Sequence, residues 1–369
     1  MTPGSTRRQW LALAAALGAG PALASTQPVQ ITDLRGRSVR LARPAQRMVL
    51  AATDDFVMLS MLAPQPAKNV VAWNKWRLDA QSLQMLRGPD PRAFAHMAQL
   101  AIDGPQNLHA EALIALEPDL VVLDPFYGQA SQTVSRLEKA GIAVAVLEVS
   151  PDLRQAEPTR GLVQFGILTG HEARARELAA FLEQRLARIR EGVQRLRARN
   201  ARLPLVLMEP HAGSAPCCLS MGAGKNLGDM VRMAGGRLIG GELIAGMAGT
   251  LSTEYVMAQD PEIYIGTGGL HLQSRGGLLL GPGVAPGQAQ DSLRRVVQRT
   301  GLAQTRAVRN GQVHGLWHGG LGIVSLECVA TWLHPREFAD IKPQATLDAL
   351  NQRFLAAPWR GSFWTSLQP

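Results

Sequence analysis

Histidine and a handful of aromatic residues carry the most recognisable chemistry in this chain of 369 residues. His211, His271 and His318 each stand just beyond a run that reads as a β-strand, and so do Trp73, Trp76, Phe126, Tyr127 and Trp317. In an open α/β sheet, ligands gather beyond the carboxyl ends of the strands. An imidazole placed there can fill an open coordination position on a metal, with His211 and His318 the candidates for direct contact. An aromatic ring placed there can cover a flat or aliphatic ligand. His314 and His318 are four apart, but Gly315, Gly319 and Gly320 argue against the helix that makes such a pair a zinc motif.

Catalytic signatures fail on specifics, and no catalytic residue is assigned. Residues 220–226 approach a phosphate-binding loop, but Leu219 stands where its first glycine belongs and Asn226 where Ser or Thr would hold magnesium. No Gly-x-Ser-x-Gly elbow is present. An exported metal-dependent hydrolase built on His211, His271 and His318 stays open as a second reading, without a helical two-His ligand motif to support it. Cys217 and Cys218 are adjacent and Cys328 is remote. Adjacent cysteines on extended backbone point apart, so buried free thiols are expected rather than a disulfide.

The elements that must position these side chains follow from hydrophobic periodicity. Residues 29–41 read as a hairpin, alternating β-branched residues around a turn with Asp33 and Gly36. Residues 48–52, 69–73, 119–123 and 142–147 read as buried strands, and 109–116 and 131–140 as helices between strands. Strands alternating with helices imply a parallel α/β sheet. Residues 172–199 carry the longest helical pattern, with apolar residues Ala175, Leu178, Leu182, Leu186, Ile189, Val193 and Leu196 three or four apart. At 1.5 Å per residue such a helix is about 40 Å long and suits a strut between two lobes. Its arginines (Arg185, Arg188, Arg190, Arg195, Arg197, Arg199, with Arg202 beyond) read as a solvated face.

The pattern then restarts, with strands at 205–208, 262–266 and 312–314 and helices at 227–234, 252–259 and 326–333. One unit recurs: Glu111 stands seven residues before Pro118 and Glu254 seven before Pro261. In each, a helix runs between, and an acid (Asp119, Glu262) then opens a strand. The expected organisation is residues 25–168 as one lobe, 169–200 as the bridging helix and 201–369 as the second lobe.

The chain is 46% hydrophobic and 18% charged, which excludes a disordered chain, a coiled coil and a minimal disulfide scaffold. Its net charge of +9 is scattered, and without a recognised module it does not imply nucleic-acid binding. Residues 1–24 read as a signal peptide: Arg7 and Arg8, an apolar stretch too short to span a bilayer, and a small-x-small end at Ala22–Ala24. The paired arginines resemble a twin-arginine signal, with an ordinary Sec signal as the alternative.

The order of these signs resembles the periplasmic substrate-binding proteins of ABC importers for vitamin B12, ferric siderophores, haem and related metal chelates. The resemblance rests on residues 32–37 with Arg47, Met48 and Val49 downstream, Glu111 to Val122, and the long helix after Leu168, Thr169 and Gly170. It rests also on residues 224–230 leading to Ala234, Gly235 and Gly236, on Glu254 to Ile265, and on Ala307 to Val313. Glu327 to Phe338 and Gly361 to Trp364 look like the branch that carries iron complexes. The resemblance implies two Rossmann-like α/β lobes with parallel-type sheets, joined by a single long bridging helix, gripping cargo between them with limited closure. It implies no enzyme activity and no resident cofactor. The cargo would be a ferric siderophore first, with haem, cobalamin or a nickel chelate as alternatives. The partner would be the permease dimer of an ABC importer, docked through Glu111 and Glu254, with the binding protein a periplasmic monomer.

Overall fold

The computed structural model describes residues 27–75, 79–88, 90, 92–100, 102–222, 227–319 and 321–367. The proposed signal peptide and Trp76 lie outside the described residues.

The expected hairpin is present: Val29–Thr32 pairs antiparallel with Ser38–Leu41, Val29 opposite Leu41. Its turn is fixed by Asp33, whose buried carboxylate accepts the Arg35 and Arg37 N–H groups and the Arg37 guanidinium. These donors outweigh the cost of burial and hold the Asp33 pKa below its ordinary value. The hairpin leads into a wholly parallel sheet ordered Ala98–Leu100, Val70–Asn74, Met48–Leu50, Leu120–Leu123, Ala143–Val146. Leu120–Leu123 is buried at every position, as its unbroken apolar run requires. Leu120 and Val122 face one apolar layer and Val121 and Leu123 the other, so both faces are covered.

A second five-stranded sheet runs Arg237–Leu238, Leu205–Glu209, Ile263–Gly268, Val313–Trp317, Trp364–Leu367. It is parallel except for the last strand, which pairs antiparallel with Val313–Trp317. Numbered along the chain, the strands of the first sheet lie in the order 3-2-1-4-5 and those of the second 2-1-3-4-5. Strand order therefore reverses beside Met48–Leu50 in one and beside Leu205–Glu209 in the other, and such switch points leave a crevice at the carboxyl ends of the strands.

Between the sheets runs the helix Glu172–Ala198, with all seven residues of the expected stripe buried. Its apolar face joins one layer of the first sheet and the core around the second into a single hydrophobic cluster. At Gly192 the helix backbone lies so close to the Phe338 ring that an added Cβ would come within 2.2 Å of it. Its arginines form the solvated face that the sequence implies, with Arg188, Arg195, Arg197 and Arg199 exposed, and most of them are also paired. Arg195 and Arg199 both pair with Glu337 at 2.8 Å, and Arg188 pairs with Asp340. Arg190 donates to the carbonyls of Leu153 and Gln155, each at 2.9 Å, on the crossover from the first sheet.

Two features depart from the sequence reading. The helix Thr53–Leu62 was not foreseen; eight of its ten residues are buried, leaving no polar face to set a period. Cys217 and Cys218 are joined by a disulfide instead of remaining free thiols, so the assumption that adjacent cysteines point apart on extended backbone does not hold there. Cys328 is a buried free thiol, as expected.

Candidate functional site

The carboxyl ends of the two sheets face each other across a cleft of about 890 Å³. A smaller space of about 410 Å³ lies behind it and shares Asp54, His211, Leu219, Met247, Trp317 and His318.

The second sheet brings three histidines together, one after each central parallel strand. His211 follows Leu205–Glu209, His271 follows Ile263–Gly268 and His318 follows Val313–Trp317. His211 Nδ1 lies 3.1 Å from His271 Nε2, and the ring centroids of His211 and His318 are 4.4 Å apart. Thr267, fully buried on the middle strand, organises the group. Its Oγ1 is 3.1 Å from His318 Nδ1 and accepts the His211 N–H at 3.3 Å. His211 itself has φ of +49°, a left-handed turn uncommon for a residue with a Cβ. The loop is braced by Glu209, whose buried carboxylate accepts both Tyr264 Oη and the Arg299 guanidinium at 2.5 Å. Arg299 also donates to the Ala215 carbonyl at 2.9 Å. Trp317 reaches the cleft through a slot that only glycine leaves open: a Cβ on Gly281 (φ +115°) or Gly319 would come within 2.5 Å of the indole.

The first sheet contributes Phe126 and Tyr127 at the mouth. Phe126 is 49% exposed, its ring edge-on to Tyr127 at 5.3 Å. The Tyr127 hydroxyl is engaged within its own lobe, donating to the Ile102 carbonyl at 2.8 Å and accepting from Asn74 at 3.2 Å. Tyr127 is 5% exposed, so its ring offers a ligand little surface. Trp73 does not line the cleft. It is 1% exposed, between the Phe56 and Phe94 rings at 4.6 and 5.2 Å, because its position within the strand turns it into the core. His314 likewise faces away from His318, stacked on Trp332 at 4.4 Å, and burial depresses its pKa to about 3.

Acidic residues on the opposite wall were not picked out from the sequence. Asp54 and Asp55 open the helix after Met48–Leu50, where the helix N-terminus favours carboxylates. Asp124 follows Leu120–Leu123 and accepts the Tyr127 N–H at 2.8 Å. Asp79 and Asp103 complete the acidic lining. Asp54 is exposed and lines both spaces of the cleft. Desolvation, followed by mutual repulsion, raises the pKa of Asp54 and carries that of Asp55 well above its ordinary value. Asp124 is raised by desolvation against two backbone N–H groups. Glu148, after Ala143–Val146, is pushed up to about 7 by desolvation and by the charges of Asp152 and Asp124. The signal available in sequence was an acid a few residues after every strand of the first half.

The repeated unit outside the cleft is a repeat in three dimensions. Glu117 and Asp260, each just before its proline, share a left-handed backbone with φ of +48° and +46°. Asp119 accepts the N–H groups of Gln46 and Arg47 at 2.7 and 3.0 Å, and Glu262 accepts that of Leu205 at 3.1 Å. Each acid thus ties its strand to the start of the neighbouring one. Glu111 and Glu254 occupy the first turns of Ala110–Ile114 and Thr253–Gln259, both exposed. Glu111 pairs with Arg136.

No trio of His, Cys, Asp or Glu among the described residues is arranged to hold a metal ion by itself. The imidazoles can instead each complete the shell of a metal that arrives already chelated. No helix of the described residues is long and apolar enough to cross a membrane.

Two α/β lobes with facing switch points, one rod between them and a shared cleft define a bilobal solute-binding protein. The chain belongs to the periplasmic binding protein family, whose profile matches residues 53–316. Among solved structures it is similar to the TroA-like periplasmic binding protein FepB of Veillonella parvula, with TM-score 0.82 and 23% identity over 92% of this chain and 100% of that one. It is similar to a periplasmic haem-binding protein of Pseudomonas aeruginosa, with TM-score 0.54 and 21% identity over 88% and 99%. CeuE of Helicobacter pylori in its Ni-His complex gives TM-score 0.57 and 17% identity over 89% and 96%. At these identities the likenesses speak for the fold. No curated protein sequence matches the chain.

Proposed function

We propose that this protein captures a chelated metal complex in the cleft and delivers it to the permease of an ABC importer, breaking no bond. The observation that carries the reading is that both switch points open onto one cavity, with three imidazoles on one wall and carboxylates on the other. Iron complexes lead, a ferric siderophore first, with haem, cobalamin or a nickel chelate as alternatives. His211 and His318 are the proposed metal contacts. His271, Phe126, Tyr127 and Trp317 would cover the ligand. On this reading residues 25–168 and 201–369 are the lobes, 169–200 the connection between them, and 1–24 a leader, of twin-arginine type, that directs export to the periplasm.

Glu111 and Glu254 are the proposed docking acids. Each helix precedes a strand of a parallel sheet, so its N-terminus lies towards the strands' carboxyl ends. One acid per lobe therefore stands at matching corners, where a two-fold partner can engage both.

Native mass spectrometry of the exported protein against ferric chelates, haem, cobalamin and nickel–histidine tests the reading. One complex should bind one-to-one with micromolar or tighter affinity, about −8 kcal/mol or better. Zinc-dependent hydrolytic turnover abolished by His211→Ala would overturn it.

A further inference from the structure

The two walls of the cleft differ in sign, and the acidic one is built systematically. Asp54, Asp79, Asp103, Asp124 and Glu148 follow the five strands of the first sheet, one acid each, and the first four line the larger cavity. Asp79 and Asp103 also serve their own backbone and neighbours: Asp79 caps the helix Ala80–Arg87 and Asp103 accepts from Asn107. Asp54 and Asp124 stand at the switch point itself.

A further acid lies buried behind this wall. Asp55, immediately behind Asp54, is 2% exposed and feels the charges of Asp124, Asp54 and Glu148. Its Oδ2 accepts no hydrogen bond among the described residues. A buried carboxyl oxygen without a donor is unfavourable, and Asp55 itself lines neither space, so it marks how crowded with acids the switch point is. Among the described residues lining the larger cavity, the cationic side chain is Arg275, on the opposite wall. Arg154, in the smaller space, is paired with Asp152 and Asp229. Lys75, at the end of Val70–Asn74, lines neither space.

We propose that the cleft selects metal complexes whose outer surface is cationic or rich in N–H donors, and that it discriminates against polyanionic complexes such as ferric tris-catecholates. The inference rests on the chelate-binding reading and narrows it. A polyanion would face the carboxylates of Asp54 and Asp124 across the cleft, and like charges repel. A cation facing them replaces lost water with charge-assisted contacts.

The test is tryptophan-fluorescence titration with three ferric probes: monocationic ferrioxamine B, neutral ferrichrome and trianionic ferric enterobactin. At low salt the cation should bind about tenfold or more tighter than the trianion, and the gap should narrow as salt is raised. Asp54→Asn with Asp124→Asn should weaken the cation by about tenfold and strengthen the trianion. The wild-type salt dependence gives an answer even if that variant folds poorly. A trianion that binds as tightly as the cation, or a gap insensitive to salt, overturns the inference and leaves chelate binding standing. Failure of these probes, haem, cobalamin and nickel–histidine alike to bind overturns the parent reading.

Discussion

The two lobes solve the same architectural problem with opposite chemistry. Each stacks parallel strands, reverses their order once, and opens the resulting crevice towards the other. The first then places an acid after every strand, and the second an imidazole after each of its three central ones. Fold fixes where a side chain is presented, and residue type fixes what it does there. On the proposed reading the difference teaches that the cargo is held between unlike walls, so its two faces need not be alike.

The comparison can be broken at several points. The largest effect is expected at the outer corners: Glu111→Arg with Glu254→Arg should cut cellular uptake by well over about tenfold by reversing complementary charge, while cargo affinity in titration stays as it was. Loss of affinity would move these acids from docking to structure, and unequal losses from the single variants would end the equivalence of the lobes. Next, His211→Ala with His318→Ala should weaken a chelate that has an exchangeable metal position by about tenfold, or 1.4 kcal/mol, and leave a fully coordinated one nearly unaffected. Equal loss for both would make the imidazoles mere packing.

A smaller effect concerns pH. Glu148 rises from an ordinary 4.5 to about 7, so between those values the folded chain binds the extra proton. Stability should therefore fall as pH rises from 4.5 through about 7, and Glu148→Gln should flatten that slope in melting curves. The smallest effect on cargo is expected from Trp73→Phe. It thins the core between Phe56 and Phe94, lowering stability by about 1–2 kcal/mol, while the titration stays within about twofold.

Much of the frame was legible because its periods are clean. The hairpin, the buried strand Leu120–Leu123 and the stripe of Glu172–Ala198 each bury the faces their patterns imply. The helix Thr53–Leu62 was illegible for the same reason, being covered on most sides. The histidines could be found singly, by their place beyond strands. The acids could not, because an Asp after a strand looks like an ordinary helix cap, and Asp79 is one. Their meaning lies in recurrence and in the shared cavity. Trp73 shows the converse, since a strand's last turns can point inward as readily as out.

The C-terminal half of the rod Glu172–Ala198 is riveted to both lobes, by Arg190 to the crossover and by Arg188, Arg195 and Arg199 to Asp340 and Glu337. A frame braced this way does not spend grip on swinging shut, and it does not let go by itself. On the proposed reading, unloading is then an act of leverage, with the transporter prising the jaws apart against a stiff spine.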